Sequence, residues 1–314
     1  MKARFFRKRE DMEFYLITGF LGAGKTTFLK KFIHLFKDKR IHLVINEFGK
    51  EGVDGLLVKE LNAVMSEINN GSIFCACRLD KFEDELNKIK LSKPEVVIVE
   101  ASGLSDPTNI RKVLDNPAYA NEFDYKGSVC LVDALRFLKV CDTARVVPKQ
   151  LKVSGLALIN KTDLVEEEAI NEVIKKVKVI NPTIVTRNTQ FGDIKKEWLD
   201  ELDNEIDVEE CANHLDITLQ KGTLVLNDNI TEDKLKDILK IVSEDTYRIK
   251  GFVNIDSNIK LVNCVGNYTR IENYNGDIDR INHLVVLAGE GMSLRKTFKV
   301  VNQWHSEYIK DVIL

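Results

Sequence analysis

At 314 residues, with 44% hydrophobic and 30% charged side chains, the chain has the composition of an ordinary globular protein. It is long enough for one large domain plus a smaller one, or for two. A formal net charge of −3 lacks the basic excess of a general nucleic-acid binder, and no apolar run approaches the roughly 20 residues of a membrane span, so neither nucleic acid nor membrane is an expected partner. The six cysteines are scattered except for Cys75 and Cys77, which is no disulfide framework and fits a reducing cytoplasm.

The opening "MKARFFRKRE" is basic but lacks the apolar run of a signal peptide, and residues 1–12 read as a solvated tail. "EFYLITGF" is then a short apolar strand, followed by a Gly-rich turn and the helical pattern "KTTFLKKFIHLF". "IHLVINEFG" predicts a second strand and "PEVVIVEASG" a third. "KGSVCLVDA", "GLALINKTDL" and "TIVTRN" follow, with helical segments between them. Strands that are apolar throughout and alternate with helices predict an α/β domain over 13–196, with a mainly parallel sheet covered on both faces. Ligands bind such sheets at the loops leaving the C-terminal strand ends, where every polar motif below falls. "EWLDELDNEIDVEE" reads as a solvated helix face or linker, placed at 197–212. Beyond it, "HLDITLQ", "GTLVLND", "TYRIKGFVNID" and "NIKLVNCVGNYTRIE" read as alternating strands, while "EDKLKDILKIV" and "MSLRKTFKVVNQW" read as helices. Together they predict a smaller α+β domain over 213–314.

"GFLGAGKTT" fits the P-loop pattern G-x-x-x-x-G-K-[ST] through Gly19, Gly24, Lys25 and Thr26, and lies between a predicted strand and helix, as a P-loop must. Its glycines let the backbone curl so that successive N–H groups, from Gly22 and Ala23 to Thr27, point at phosphate oxygens. The helix N-terminus adds its positive dipole end. Lys25 would neutralise the β- and γ-phosphates, and the Thr26 hydroxyl would ligate Mg²⁺.

"NKTD", from Asn160 through Lys161 to Asp163, follows a buried strand and supplies base choice. A carboxylate at Asp163 can accept from the N1–H and 2-amino group of guanine. Adenine has no such donor pair, so GTP is expected over ATP. The alternative is that Asp163 merely caps a helix beginning near Val165. In "VVIVEASG", Glu100 ends a strand where a P-loop protein holds Mg²⁺ or its water, and Gly103 follows where a backbone N–H can bond the γ-phosphate. The alternative is a strand-end surface residue. No arginine finger is evident, so hydrolysis is expected to be slow.

"INNGSIFCACR" puts Cys75 and Cys77 one residue apart behind a glycine turn. On their own they are either soft-metal ligands or two small buried side chains, because free cysteine packs readily as a hydrophobe.

Taken in order, the P-loop "GFLGAGKTT", "INEFGKEGVDG", a cysteine pair after "NNG", "VEASGLSDP" and "NKTDL" resemble the CobW/HypB/UreG class of GTPases, and within it the CobW-type proteins. "VDA" at Val132–Ala134 and Asn181–Pro182 also match, and the C-terminal part resembles the CobW C-terminal domain more loosely. The resemblance implies a P-loop GTPase domain with slow hydrolysis, nucleotide-dependent homodimerisation, and work as a metallochaperone or insertase. The family's metal motif, however, reads G-C-x-C-C where this chain has Gly71, Ser72, Ile73, Phe74 and Cys75, with Cys77 added beyond. The His-rich tract of many relatives is also missing, leaving only His214 nearby. Two thiolates leave a tetrahedral sphere open, so acids or a partner must complete it. Glu47 and Glu51 of "NEFGKEG" are the nearby candidates, with Zn²⁺ or Co²⁺ as the ion. Three functional readings follow: a GTP-driven metallochaperone delivering zinc or cobalt to a client metalloenzyme, a GTPase chaperone for a corrinoid (cobalamin)-dependent enzyme, and a regulatory GTPase whose cysteines bind no metal.

Overall fold

The computed structural model describes residues 11–46, 63–68, 79–202, 220–266, 268–276, 278, 280–289 and 292–314. The described residues fall into two compact units, one reaching to Leu138 and resuming from Val146 to Leu202, the other comprising Lys139–Arg145 and the residues from Gln220 to the end.

The first unit is built on a sheet of seven parallel strands: β1 (Met12–Gly19), β2 (Ile41–Ile45), β3 (Val64–Glu67), β4 (Val96–Glu100), β5 (Phe123–Asp133), β6 (Leu156–Asn160) and β7 (Val185–Asn188), in the order β3-β2-β4-β1-β5-β6-β7. The helices described between residues 25 and 180 are α1 (Lys25–His34), α2 (Leu79–Ser92), α3 (Ile110–Leu114), α4 (Phe137–Thr143), α5 (Val146–Lys152) and α6 (Glu167–Ile180), of which α4 belongs from Lys139 onward to the second unit. Alternate residues of β1 serve two cores. Tyr15 and Ile17 pack with Phe28, Leu29 and Phe32 of α1, whereas Phe14 and Leu16 pack with Phe82, Leu86 and Ile89 of α2. This double burial is why the strands read as continuous apolar runs, and it bears out the mainly parallel α/β expectation.

β3 departs from the sequence reading, in which "VMSE" carries no strand signal. Among the described residues it is a short edge strand, exposed to half-buried, paired with β2 alone, so neither alternation nor a β-branched run announces it. The acidic stretch from Glu197 is also more than a solvated face at its start: Trp198, Leu199 and Leu202 pack against the α1 side of the core.

The second unit is an antiparallel sheet of β8 (Gln220–Leu226), β9 (Arg248–Ile255), β10 (Asn258–Val265), β11 (Tyr268–Asn273), β12 (His283–Ala288) and β13 (Ile309–Ile313), ordered β11-β10-β9-β12-β8-β13. Helices α7 (Glu232–Ser243) and α8 (Leu294–His305) bury Leu235, Ile238 and Leu239, and Leu294, Phe298 and Val301. Thr231 and Ser293 cap them, each side-chain oxygen accepting from the backbone N–H three residues on. The strand expected at "HLDITLQ" lies outside the described residues apart from Gln220, which begins β8.

Candidate nucleotide site

In the first sheet the strand order reverses about β1: β4, β2 and β3 lie on one side and β5, β6 and β7 on the other. A crevice opens at such a switch point, beyond the C-terminal strand ends. Gly19, Glu100, Asp133 and Asn160 end four of these strands. Their register fixes them together: Ile17 lies opposite Glu100, Gly19 opposite Leu131, and Asp133 opposite Asn160.

The P-loop sequence forms the expected strand–loop–helix. Gly19, Gly22 and Gly24 have φ of 132°, 78° and 101°. At Gly24, the N-cap of α1, a Cβ would come within 2.5 Å of the Asn160 amide nitrogen, so this position needs glycine for both conformation and space. Ala23 is buried, Thr26 half-buried and Thr27 exposed. The Lys25 ammonium lies inside the curl of the loop and donates to the carbonyls of Gly19 at 2.9 Å and Phe20 at 3.4 Å.

Glu100 is only 4% exposed, which removes the strand-end surface alternative. Three residues on, Gly103 lies so close behind the P-loop that a Cβ would be 2.7 Å from the backbone nitrogen of Leu21. Gln150 of α5 holds this turn by donating to the carbonyls of Gly103 and Ser105, both at 3.2 Å. Asn46, just past β2, ties the neighbourhood together. Its N–H donates to the Glu100 carbonyl at 2.9 Å, its side-chain amide donates to the Ile68 carbonyl at 2.9 Å, and its side-chain carbonyl accepts from the Ser105 hydroxyl at 3.2 Å. Sequence reading gave Asn46 no role although it stands inside "INEFGKEGVDG", and it missed Gln150, because nothing in a sequence says which turn a buried amide buttresses.

The part of the crevice where the sequence places base choice is organised by Asn160. Its side-chain amide donates to the Ala23 carbonyl at 2.9 Å, and its carbonyl accepts from the Gly192 N–H at 3.0 Å. One buried side chain thus joins the P-loop to the loop after β7. The next residue, Lys161, is left-handed at φ 64° and pairs with the buried Asp133 at 2.6 Å. Thr162 donates through both its N–H and its hydroxyl to the Thr189 carbonyl, at 3.4 and 3.1 Å. Asp163 is exposed, and its carboxylate makes no hydrogen bond or ion pair among the described residues. The helix-capping alternative fails, since α6 begins at Glu167 with Glu166 at its N-cap. An acceptor-only carboxylate presented in this way suits a ligand with two adjacent N–H donors.

A family model described as "CobW/HypB/UreG, nucleotide-binding domain" matches residues 13–186, more than half of the chain. The chain belongs to the CobW/HypB/UreG family. It is similar to the zinc chaperone CobW of Sinorhizobium sp, 27% identical over 309 residues that span 82% of this chain and 86% of that protein. It is also similar to the zinc chaperone YeiR of Escherichia coli (strain K12), 30% identical over 156 residues, about half of each chain at 49% and 48%. Among solved structures, that of the Zn(II)-bound YjiA GTPase from E. coli aligns over 93% of this chain and 98% of the other at 19% identity, with a TM-score of 0.49.

The transition-metal candidates of this CobW-type chain, Cys75, Cys77, Glu47 and Glu51, lie outside the described residues, as does His214. The cysteines that are described do not compete for the role. Cys130, Cys141 and Cys264 are buried. Burial pushes the Cys130 thiol up to about 12 and raises that of Cys264, whereas metal ligation needs a thiolate. Among the described residues no three His, Cys, Asp or Glu side chains converge as a metal cluster would. No described helix is long and apolar enough to cross a membrane.

Proposed function

We propose that this protein is a slow GTPase that carries zinc to a client metalloprotein and couples the hold on its cargo to the state of its nucleotide. The observation that carries the coupling is the junction at Asn46. The segment bearing Glu47 and Glu51 starts immediately after this residue, and the segment bearing Cys75 and Cys77 starts immediately after Ile68, whose carbonyl Asn46 holds and whose N–H donates to Ile45 at 2.9 Å. Both candidate ligand segments therefore spring from one hydrogen-bonded point, and the same Asn46 is bonded to the Glu100 backbone. Chemistry at the γ-phosphate has a short mechanical route to both.

The P-loop backbone and α1 would bind the phosphates, with Lys25 moving its charge from the loop carbonyls to the β- and γ-oxygens. The hard oxygen donors of Thr26 and the buried Glu100 fit Mg²⁺, which when bound neutralises charge between those phosphates. Gly103 would offer its N–H to the γ-phosphate, and loss of that contact on hydrolysis would release the strand-end turn that Ser105 shares with Asn46. Asp163 would select guanine. Slow turnover follows from the lack of an evident arginine finger. Dimerisation with GTP bound and release on hydrolysis would time delivery to the client.

Zinc is the cargo we favour, because a relative matched over 82% of this chain is named a zinc chaperone, another matched over 88% is named a zinc-regulated GTPase metalloprotein activator, and thiolates suit borderline ions. The test is metal affinity in two nucleotide states. The chain should bind one Zn²⁺ per protomer or per dimer, with an affinity that differs between a non-hydrolysable GTP analogue and GDP. By linkage the metal must shift nucleotide affinity by the same factor. With Co²⁺ as the optical probe, a thiolate charge-transfer band should appear, weaken as pH falls, and vanish in the Cys75→Ser, Cys77→Ser double variant while GTP binding survives. Equal metal affinity in both states would remove the coupling, and no band at all would remove the cysteine site.

A further inference from the structure

The loop after β7, residues 189–193, plays no part in the sequence motifs, yet it is pinned from several sides. The Thr189 carbonyl accepts from Thr162, and the Thr189 hydroxyl donates to the Asp193 carbonyl at 2.8 Å. Gly192 N–H donates to Asn160, and Asp193 pairs with Lys31 of α1. At the centre of this fixed loop stands Phe191, 65% exposed, with φ at +52°. A left-handed backbone disfavours a bulky residue, and water disfavours a bare aromatic ring. The fold holds both unfavourable features one residue from the Gly192–Asn160 bond, beside the Lys161–Asp163 turn. Leu164 and Leu135, 56% and 55% exposed, are further large apolar side chains left open near this turn: one follows Asp163 directly, and the other donates its N–H to Asp133, the partner of Lys161.

We infer that Phe191 is a base-stacking residue, its ring covering one face of the guanine whose edge Asp163 reads. The inference rests on the nucleotide reading above and deepens it. A purine has two apolar faces that hydrogen bonding at its edge leaves wet, and an aromatic side chain displayed on a rigid loop covers one at little entropic cost. The strain at Phe191 is then the cost of aiming the ring, as expected where a constrained backbone serves a ligand. Asp163 would supply discrimination and Phe191 affinity, since stacking does not distinguish one purine from another.

The informative variant is Phe191→Asn, because asparagine tolerates the left-handed backbone and lacks the ring. It should melt no lower than the parent protein, bind inorganic pyrophosphate as the parent does, and bind GDP roughly 5- to 150-fold more weakly. Phe191→Trp should keep GDP affinity, and its new indole emission should change on addition of GDP but not of pyrophosphate. GDP binding by Phe191→Asn at parental affinity would overturn the inference. So would an equal loss for GDP and pyrophosphate, which would mean that the ring acts through the fold. If the parent itself fails to bind GDP, the nucleotide reading falls, and this inference with it.

Discussion

The two flanks of the parallel sheet, on either side of β1, are held by different forces. On the β5–β6–β7 side, Leu156 to Ile159 are wholly buried, the edge strand β7 is half-buried to exposed, and the loops beyond them are joined by the hydrogen bonds of Asn160 and Thr162 together with the Lys161–Asp133 and Lys31–Asp193 ion pairs. On the β4–β2–β3 side, the outermost strand is exposed to half-buried, and its tie to α2 runs through a buried polar cluster. His42 Nε2 lies 2.9 Å from the Ser66 hydroxyl, Ser66 donates to Glu85, and Glu85 pairs with Lys88 at 2.9 Å. The first flank carries Asp163 and Phe191, the side chains proposed to read and stack the base, and a specificity site gains from being rigid. The second leads into the segments that carry Glu47, Glu51, Cys75 and Cys77. Cooperative units of low stability are where switching elements are found. On the proposed function, recognition falls to the first flank and exchange to the second.

The largest expected effect tests the stiff flank. Asp163→Ala should erase a preference for GTP over ATP of roughly 10⁴, read by competition of the two nucleotides for one labelled ligand. Because Asp163 is exposed and caps no helix, the melting temperature should stay within a degree or two. ATP competing equally with GTP in the parent chain would show that this flank does not read the base.

Between the flanks sits the phosphate end. Lys25→Ala should lower GTP turnover by at least 10²–10³, the usual cost of removing one electrostatic stabiliser. Glu100→Gln, which keeps shape and removes charge, should lower turnover by a large factor while nucleotide still binds through the P-loop. Unchanged turnover in single-turnover assays would take Glu100 out of the chemistry.

These two ends were legible in the sequence to different depths for a physical reason. Backbone that must curl around phosphate demands glycines at fixed spacing, so Gly19, Gly24, Lys25 and Thr26 stand out as a pattern. Asp163 is legible because the carboxylate proposed to read the base is a short side chain next to a buried strand. Nothing similar marks Gln150 or Phe191, and the motif around Asn46 does not say what Asn46 holds. Asn46 and Gln150 act by position in three dimensions, through partners distant in the chain, as Asn160 does with Ala23. β3 escaped because an edge strand needs no apolar run, and the β13 pairing to β8 because it joins segments more than 80 residues apart. The split into a P-loop α/β unit and an antiparallel α+β unit was readable, because periodicity changes from continuous to alternating where the architecture does.

A third measurement asks whether the stiff flank is stiff because of Asn160. Asn160→Ala would leave the Ala23 carbonyl and the Gly192 N–H without this partner. The expected loss is about 2–3 kcal/mol in denaturant unfolding, since an unpaired buried polar group costs about 1–3 kcal/mol. GDP affinity should fall by more than the Asp163 and Phe191 losses explain, because the phosphate and base ends would no longer be held in register. Stability equal to the parent's would show that the two loops are fixed by something else.

The smallest effect belongs to the soft flank and depends on pH. Burial lowers the His42 pKa below its ordinary 6.5, against an opposing pull from the carboxylate of Glu85. Burial pushes the Glu85 carboxyl up, but its bonds from Ser66 and Lys88 win, and its pKa lies below the ordinary 4.5. At neutral pH His42 is therefore neutral, and with the Ser66 proton committed to Glu85, His42 donates from Nε2 while its Nδ1 stays buried without a partner. The sign follows from proton counting: below pH 6.5 the unfolded chain takes up a proton that the folded His42 resists, so stability falls with pH. Glu85 adds to this only below about 4.5, where the unfolded carboxylate protonates before the folded one. Between those values, within this cluster, His42 acts alone, and its contribution to the slope is at most about 1.4 kcal/mol per pH unit. Protection factors for the amides of β2 and β3 should fall from pH 7 to pH 5, while those of β6 hold. His42→Gln, which keeps a donor but cannot take up the proton, should flatten that fall. If β3 and β6 lose protection in parallel, or if the glutamine variant responds to acid as the parent does, the two flanks open as one unit and the division between a stiff side and a soft side fails.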